Sequence, residues 1–305
     1  MLAWRAIVEG AGPGRLGGCR AVYYNFRVYS ASAFGDGDGD FYAVKERLAC
    51  RHADQIVCLS EKDRDSLAVL MGKDGGHDQE AREKSAGICV LHPPLRGDIC
   101  ELARQGVRSD AETGDGGSVS DCHLPEAARL AIERLANVTG RNGGDDVGRC
   151  FVTCAVRMSP EKAPHNFVRL LRSLGGADFL RRNGLIPVLC GARSVEDCAG
   201  GVVRELESLL AGDPDWPRVV MTDRRLGPDE LAAVFSRSVL NVHPCPYDAY
   251  GMTAVESAAF GCPTVVDGGR GVGALALLGR GGCVEVDLEG TIAGGEGGEK
   301  LVLEL

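Results

Sequence analysis

Apolar residues occur along the chain either in short continuous runs or at helical spacing, and these two patterns alternate regularly after Gly148. Between apolar runs of strand length, apolar side chains recur at helical spacing, as at Phe167, Leu170 and Leu171. Alternating strands and helices predict an α/β fold, with a parallel sheet covered by helices on both faces. Ligands of such sheets bind at the carboxyl ends of the strands. The predicted strands are Cys150–Val156, Leu185–Cys190, Arg218–Met221, Val239–His243, Thr264–Asp267 and Cys283–Leu288.

Residues 1–103 show the same alternation with more polar interruptions. Phe41–His52 predicts an amphipathic helix with Phe41, Val44 and Leu48 on one face, and a capping-box variant at Ser60 opens a second helix through Met71. Strands are predicted at Ala21–Tyr24, Gln55–Leu59 and Gly87–Leu91, and polar loops at Gly35–Asp40 and Gly72–Lys84.

The chain therefore divides into three stretches. Residues 1–103 form the first stretch, and residues 104–147 are rich in Gly and Asp, which indicates a linker or surface insertion around one helix at Pro125–Val138. Residues 148–305 form the third stretch, in which strands and helices alternate regularly.

Composition narrows the possible functions. The net charge of −9 disfavours a general nucleic-acid binder. No apolar run reaches the roughly 18–20 residues of a transmembrane segment, and the first ten residues lack the apolar region of a secretory signal. The 13 cysteines contain no CxxC pair and do not join the six histidines in a zinc set, so we expect no metal and an intracellular, cytoplasmic protein with reduced thiols.

Gly12–Gly17 matches the GxGxxG pattern of dinucleotide-binding loops. That pattern requires a preceding strand and a following helix. Here the next segment, CRAVYYNF, resembles a strand, so a turn is the better interpretation of Gly12–Gly17. A dinucleotide oxidoreductase is therefore a weaker hypothesis for the function than the two given below.

Two motifs at predicted strand ends carry more chemistry. Arg157 follows the strand FVTCAV, and Lys162 lies five residues later, so two cations that suit phosphate oxygens share one edge of the sheet. Solvated surface charges are the equal alternative. Asp248, Gly251 and Glu256 lie where the strand Val239–His243 gives way to a helix through Phe260.

In that second motif, Glu256 is expected about two turns into the helix, where carboxylates accept hydrogen bonds from sugar hydroxyls. Gly251 permits close backbone approach, and the amides of the first helical turn favour phosphate. The alternative is an acidic residue near the helix dipole plus an exposed glutamate. His243 is expected to be a structural residue rather than a catalyst.

The order Arg157, Lys162, Asp248 and Glu256 resembles the donor lobe of glycosyltransferase family 4, the group 1 glycosyltransferases of GT-B fold. The resemblance extends over roughly residues 148–290, and the phrases YYNFRVYS and HPCPYDAYGMT are most similar to a little-described plant and algal branch. Upstream, FYAVKERLACRHADQIVCLSEKD and VLHPPL resemble the last part of that family's acceptor lobe. The resemblance thus implies a partial acceptor lobe in residues 1–103 and a complete donor lobe in residues 148–305.

The resemblance implies a retaining glycosyltransferase that needs no metal or cofactor and uses a nucleotide-diphosphate sugar as donor. Arg157 and Lys162 would hold the diphosphate together with the amides of Gly251, Met252 and Thr253, and Glu256 would bind the ribose. Asp248 would address the transferred sugar, and the backbone near Leu226 would meet the base. Asp248, Arg157 and Lys162 are the implied catalytic residues.

The implied partners are the donor and an acceptor that is a glycan, a lipid or a small molecule.

Two departures from the family leave an alternative function open. The family usually has glutamate at the position of Asp248, and the first lobe lacks the glycine-rich loop that normally begins it. The alternative function is a nucleotide-sugar-binding homologue without turnover, acting as a regulatory or scaffolding subunit.

Overall fold

The structure is a computed structural model, and it describes residues 21–30, 38–72, 86–113, 123–140, 148–194, 196–268 and 271–292. The motif Gly12–Gly17, residues 35–37 and residues 73–84 lie outside the described residues. The chain forms two compact units. The first comprises Met1–Pro93 with Asp248–Tyr250, and the second comprises Pro94–Tyr247 with Gly251–Leu305.

The first unit contains a three-stranded parallel sheet in the order β1-β2-β3, which confirms the three predicted strands. The Ser60 hydroxyl accepts a hydrogen bond from the Asp63 amide at 3.1 Å, as the capping motif predicts. The predicted loop over Gly35–Asp40 is wrong in its last part, because the first helix already begins at Asp38. The elements are β1 (Val22–Asn25), α1 (Asp38–His52), β2 (Gln55–Cys58), α2 (Glu61–Gly72) and β3 (Cys89–Val90).

Helix α1 is oriented differently from what its pattern suggests. An apolar face such as Phe41, Val44 and Leu48 normally packs on a core, but these side chains are 55%, 57% and 38% exposed. The buried face instead carries Cys50 and Glu46, and the Glu46 carboxylate accepts a hydrogen bond from the Tyr29 amide at 2.7 Å. Within the described residues, the apolar face of α1 therefore has no core to cover it.

The second unit contains a six-stranded, wholly parallel sheet in the order β6-β5-β4-β7-β8-β9. Its strands are β4 (Phe151–Ala155), β5 (Ile186–Cys190), β6 (Val219–Met221), β7 (Ser238–His243), β8 (Thr264–Asp267) and β9 (Cys283–Val286). Its helices are α3 (Gly97–Thr113), α4 (Glu126–Thr139), α5 (His165–Ser173), α6 (Gly176–Asn183), α7 (Glu196–Leu209), α8 (Pro228–Ser236), α9 (Met252–Ala259), α10 (Ala274–Gly282) and α11 (Leu288–Ile292).

The polar stretch after residue 103 contributes to this unit. Helix α3 starts before it and runs to Thr113, and Ile99 in its first turn is fully buried in the core. Helix α4 matches the predicted helix closely, and Ile132 and Leu135 pack in the same core as β4. The two units therefore separate at Pro93–Pro94, before helix α3.

Several buried polar side chains in the sheet are hydrogen-bonded to one another, which offsets part of their desolvation cost. The Thr153 and Ser238 hydroxyls lie 2.6 Å apart, and the Asn241 amide donates to the Thr264 hydroxyl at 3.1 Å. Before β4, the Arg149 guanidinium donates to the carbonyl of Phe260 at 2.7 Å, at the end of helix α9. These contacts set the position of α9 against the sheet.

The cysteines of the described part of the chain carry thiols rather than disulfides. Burial raises the pKa of Cys190 and of Cys262 to about 12, so these thiols stay protonated and unreactive. Both behave as small apolar core residues.

Candidate functional site

The strand order gives the second unit a topological switch point between β4 and β7, and we call the carboxyl end of these two strands the β4–β7 crevice. From β4 the chain continues to β5 and β6 on one side, and it then returns to β7, β8 and β9 on the other side. Strands β4 and β7 are therefore neighbours whose connecting loops leave in opposite directions. In open parallel sheets this switch point is the usual place for a ligand.

On the β4 side, Arg157 and Lys162 follow the strand as predicted. The Arg157 side chain is exposed and forms an ion pair of 3.4 Å with Glu161, and Lys162 ends a short 3-10 turn, Pro160–Lys162. Partial burial acts to raise the pKa of Glu161, but hydrogen bonds and the charges of Arg157 and Lys162 lower it below its ordinary value. One carboxylate thus already partly balances the two cations.

Gly191, at the end of β5, is needed for this geometry. Its φ is +147°, and a Cβ atom there would lie 1.8 Å from the carbonyl oxygen of Val156. Only glycine allows the ends of β4 and β5 to approach this closely. Beyond them, Met158 and Arg193 form one further parallel bridge that holds the loop carrying Arg157. The role of Gly191 could not be predicted from the sequence, because it depends on a contact with another strand.

On the β7 side, helix α9 begins directly after Gly251, which has a φ of +79°. A Cβ atom at Gly251 would lie 2.4 Å from Val272, so close packing also requires glycine here. Gly251 is followed by Met252 and Thr253, whose main-chain amides belong to the first turn, which has no intrahelical acceptors. This arrangement favours an anion. His243 is buried, and its ring lies 3.3 Å from the Thr253 hydroxyl, in agreement with the structural role expected for it.

Glu256 lies just over one turn into helix α9 rather than two, because the helix begins at Met252. Its side chain is only 5% exposed. Within the described part of the chain, no group donates a hydrogen bond to its carboxylate and no cation forms an ion pair with it. Burial raises the pKa of Glu256, the charge of Arg96 lowers it and that of Asp98 raises it. A carboxylate in this state can accept hydrogen bonds from a bound ligand.

Arg96 and Asp98 were not predicted from the sequence. They lie at the start of helix α3, which packs on α9, and the Arg96 guanidinium donates to Asp98 at 2.7 Å. Both affect the ionisation of Glu256. The sequence separates them from Glu256 by more than half the chain, and a single Arg-Gly-Asp segment carries no signal of that proximity.

The thiol of Cys245 contacts main-chain groups on both sides of the crevice. Cys245, just after β7, is buried, and its sulfur lies 3.1 Å from the carbonyl oxygen of Glu161 and 2.8 Å from that of Tyr247. A thiol has one proton, so it donates to one carbonyl at a time. The loop after β7 therefore contacts the turn that carries the two cations.

The two remaining predicted residues lie elsewhere. Leu226 follows β6, two strands from β4 on the same edge of the sheet, and packs partly buried against the core. Asp248 follows β7 but belongs to the first unit, and its carboxylate accepts a hydrogen bond from the Tyr250 amide at 3.3 Å. The structure therefore brings Arg157, Lys162, Gly251, Met252, Thr253 and Glu256 to the β4–β7 crevice.

Known structures share this architecture. An α,α-trehalose-phosphate synthase (UDP-forming) from Burkholderia vietnamiensis superposes with a TM-score of 0.61 at 16% identity, over 92% of this chain and 60% of that one. A sucrose-phosphate synthase from Thermosynechococcus elongatus superposes with a TM-score of 0.54 at 13% identity, over 92% and 58%. The fold is of the GT-B type.

A trehalose-phosphate synthase from Burkholderia xenovorans, solved with glucose-6-phosphate, is similar at a TM-score of 0.58 and 14% identity, over 90% of this chain and 59% of that one. The present chain thus spans about 60% of the length of these structures. No model of a protein family and no curated protein sequence matches the chain. Of the helices that the structure describes, none has the length and apolar character needed to cross a membrane.

Proposed function

We propose that this chain binds a nucleotide-diphosphate sugar in the β4–β7 crevice. Glu256 carries the proposal: it is a buried carboxylate at the switch point of the sheet, and no described group donates to it. Burying such a group costs free energy unless a donor arrives. Two neighbouring hydroxyls of a ribose are donors of the kind that a carboxylate accepts.

The other crevice residues suit the rest of such a donor. Arg157 and Lys162 supply positive charge for the diphosphate, and the amides of Gly251, Met252 and Thr253 add donors from the start of helix α9. The backbone at Leu226 would meet the base, and Asp248 would address the transferred sugar.

The proposed reaction is transfer of that sugar to an acceptor with retention of anomeric configuration and without a metal or cofactor. A leaving diphosphate gains negative charge, and fixed cations and amides stabilise such charge without a metal ion. Each donor of this kind is typically worth about 3–4 kcal/mol of transition-state stabilisation. The structures of similar fold are named as synthases of trehalose phosphate and sucrose phosphate, which supports glycosyl transfer as the reaction class.

We further propose that the chain belongs to glycosyltransferase family 4, close to its plant and algal branch, on the motifs between residues 148 and 290. The thiols of the described cysteines support a reducing, cytoplasmic location. The acceptor is a glycan, a lipid or a small molecule.

One observation favours a second candidate, a nucleotide-sugar-binding homologue without turnover. Asp248 is one methylene shorter than the glutamate usual in the family, so its carboxylate reaches less far and its contact with the sugar would be longer. An assay of sugar release from the donor on the purified chain separates the two functions. Sugar release supports the transferase, whereas saturable binding without release supports the second candidate.

Calorimetry with UDP-, GDP- and ADP-sugars tests the binding step, beginning with UDP because one enzyme of similar fold is described as UDP-forming. We expect Arg157→Ala and Lys162→Ala to abolish measurable binding of the preferred donor. Arg181→Ala is the matched control, since Arg181 is a similarly exposed, ion-paired arginine on helix α6. Unchanged affinity in the first two variants would refute the proposed site.

A further inference from the structure

The loop Arg157–Lys162, which carries the two cations, is held unequally on its two sides. Towards β5, main-chain bonding continues past the end of β4, where the Met158 amide donates to the carbonyl oxygen of Ala192 at 3.2 Å. Towards β7, the pairing seen in the described residues ends at Thr153 and Asn241, although each strand runs two residues further. The sheet therefore fixes this loop more firmly against β5 than against β7.

A strained residue follows the loop directly. Ala163 has φ +45° and ψ 46°, in the left-handed region that favours glycine. Such a conformation persists where the surrounding contacts determine it. The Lys162 amide donates to the Ser159 carbonyl and the Ala163 amide to that of Pro160, each at 3.0 Å. Both bonds lie inside the turn, so they do not fix its position relative to the other side of the crevice.

The thiol of Cys245 supplies a contact from outside the turn. Cys245 is 1% exposed, two residues after β7 ends, and its sulfur lies 3.1 Å from the carbonyl oxygen of Glu161. That carbonyl belongs to the peptide that joins Glu161 to Lys162, so a hydrogen bond from the thiol orients this peptide. The Tyr247 carbonyl at 2.8 Å competes for the same proton, but it lies in the loop of Cys245 itself.

We propose that Cys245 is a positioning residue, which holds the peptide between Glu161 and Lys162 in place relative to helix α9. Its importance for the ligand rests on the proposed function, in which Lys162 and the amides of Met252 and Thr253 bind one diphosphate. These groups come from β4 and from the helix after β7, so they bind together only at a fixed separation. A misplacement of about 1 Å can slow an enzyme about a hundredfold.

Amide hydrogen exchange, followed by mass spectrometry, tests the positioning without a ligand. In Cys245→Ala the amides of residues 158–163 should exchange about two- to tenfold faster, as expected for the loss of one hydrogen bond. Cys245→Val fills the space without a donor and should behave in the same way, whereas Cys245→Ser keeps a donor and should restore most of the protection. Cys283→Ala is the matched control, because Cys283 is also 1% exposed but lies on β9.

Calorimetry with UDP, GDP and ADP measures the consequence for binding. The affinity for the preferred diphosphate should fall about two- to tenfold in Cys245→Ala and stay near the native value in Cys245→Ser and Cys283→Ala. If the native chain binds none of the three, the proposed function fails, and the exchange rates still decide whether Cys245 holds the turn.

Unchanged exchange in Cys245→Ala and Cys245→Val would overturn the inference, and so would unchanged affinity in a chain that binds a diphosphate. An equal loss in Cys283→Ala, or no recovery in Cys245→Ser, would overturn it as well. The effect would then come from the packing of a buried thiol and not from its hydrogen bond.

Discussion

On the β4 side of the crevice, Arg157 is exposed to water and paired with Glu161, whereas on the β7 side Glu256 is buried on helix α9. The charged groups on the two sides therefore have very different effects on the free energy of folding. An exposed ion pair contributes at most about 1 kcal/mol to folding, in either direction. A buried carboxylate without a donor lowers the stability of the fold.

This difference shows that the buried carboxylate on the β7 side is stronger evidence for a ligand than the exposed cations on the β4 side. Exposed arginines are common and by themselves indicate little. A buried carboxylate to which no described group donates is less common, because burying it costs free energy that a hydrogen-bonding ligand such as a sugar would offset. The exposed charges on the β4 side can be altered with small effects on folding, whereas a change at the buried Glu256 on the β7 side alters folding stability.

Among changes on the two sides of the crevice, Gly191→Ala is expected to have the largest effect on folding stability, because it pushes the ends of β4 and β5 apart. The new Cβ atom would lie 1.8 Å from a main-chain oxygen, so the backbone must move. Strain and overpacking together should cost about 3 kcal/mol or more. In thermal unfolding, that lowers the midpoint of the second unit by roughly 10 °C.

Gly212→Ala is the matched control, because nothing lies within 4 Å of a Cβ atom there. Its midpoint should stay close to that of the native chain. Equal stability of the two variants would show that the strand ends adjust freely and that the crevice is less fixed than the structure indicates.

Glu256→Gln should raise the stability of the fold and weaken donor binding at the site. A buried amide costs less than a buried charge, so the free energy of unfolding at neutral pH should rise by about 1–2 kcal/mol. Donor binding should weaken, since an amide accepts fewer hydrogen bonds than a carboxylate. Denaturant unfolding and calorimetry on the same sample measure both, with Glu133→Gln on helix α4 as an exposed control.

The sign of the pH dependence follows from the raised pKa of Glu256. The native state holds this proton more tightly than the unfolded chain, whose carboxyl pKa is about 4.3. Stability from this group is therefore full below that value and decreases as pH rises through the raised native pKa. The advantage of Glu256→Gln should thus be small in acid and grow towards neutral pH; a constant advantage would mean that Glu256 does not titrate in this range.

Much of the second unit could be predicted from the sequence because its patterns are local. The run FVTCAV is apolar except for Thr153, as expected of a strand buried on both faces, and β4 is completely buried. The approach of helix α9 to the crevice was likewise marked by Gly251 at a strand-to-helix turn. Such features depend on neighbours in sequence.

What could not be predicted depends on distant residues. The effect of Arg96 on Glu256 arises from the packing of helix α3 on α9. The exposure of Phe41 on helix α1 depends on what lies opposite that face, and periodicity shows only that the face is apolar. Periodicity thus predicts that a face exists, and tertiary structure decides whether it is covered.

The smallest effect is expected from Glu161→Gln on the β4 side. Folding stability should change by less than about 1 kcal/mol, because the pair with Arg157 is exposed. Donor binding should tighten by about two- to fivefold at low salt, since the carboxylate no longer competes with the diphosphate for Arg157, and this gain should fade as salt screens the charges. Glu207→Gln, which breaks a comparable pair with Arg218 at 3.3 Å, should leave binding unchanged. Weaker donor binding in Glu161→Gln would mean that Glu161 holds Arg157 in place for the ligand, and the β4 side would then depend on geometry as much as the β7 side does.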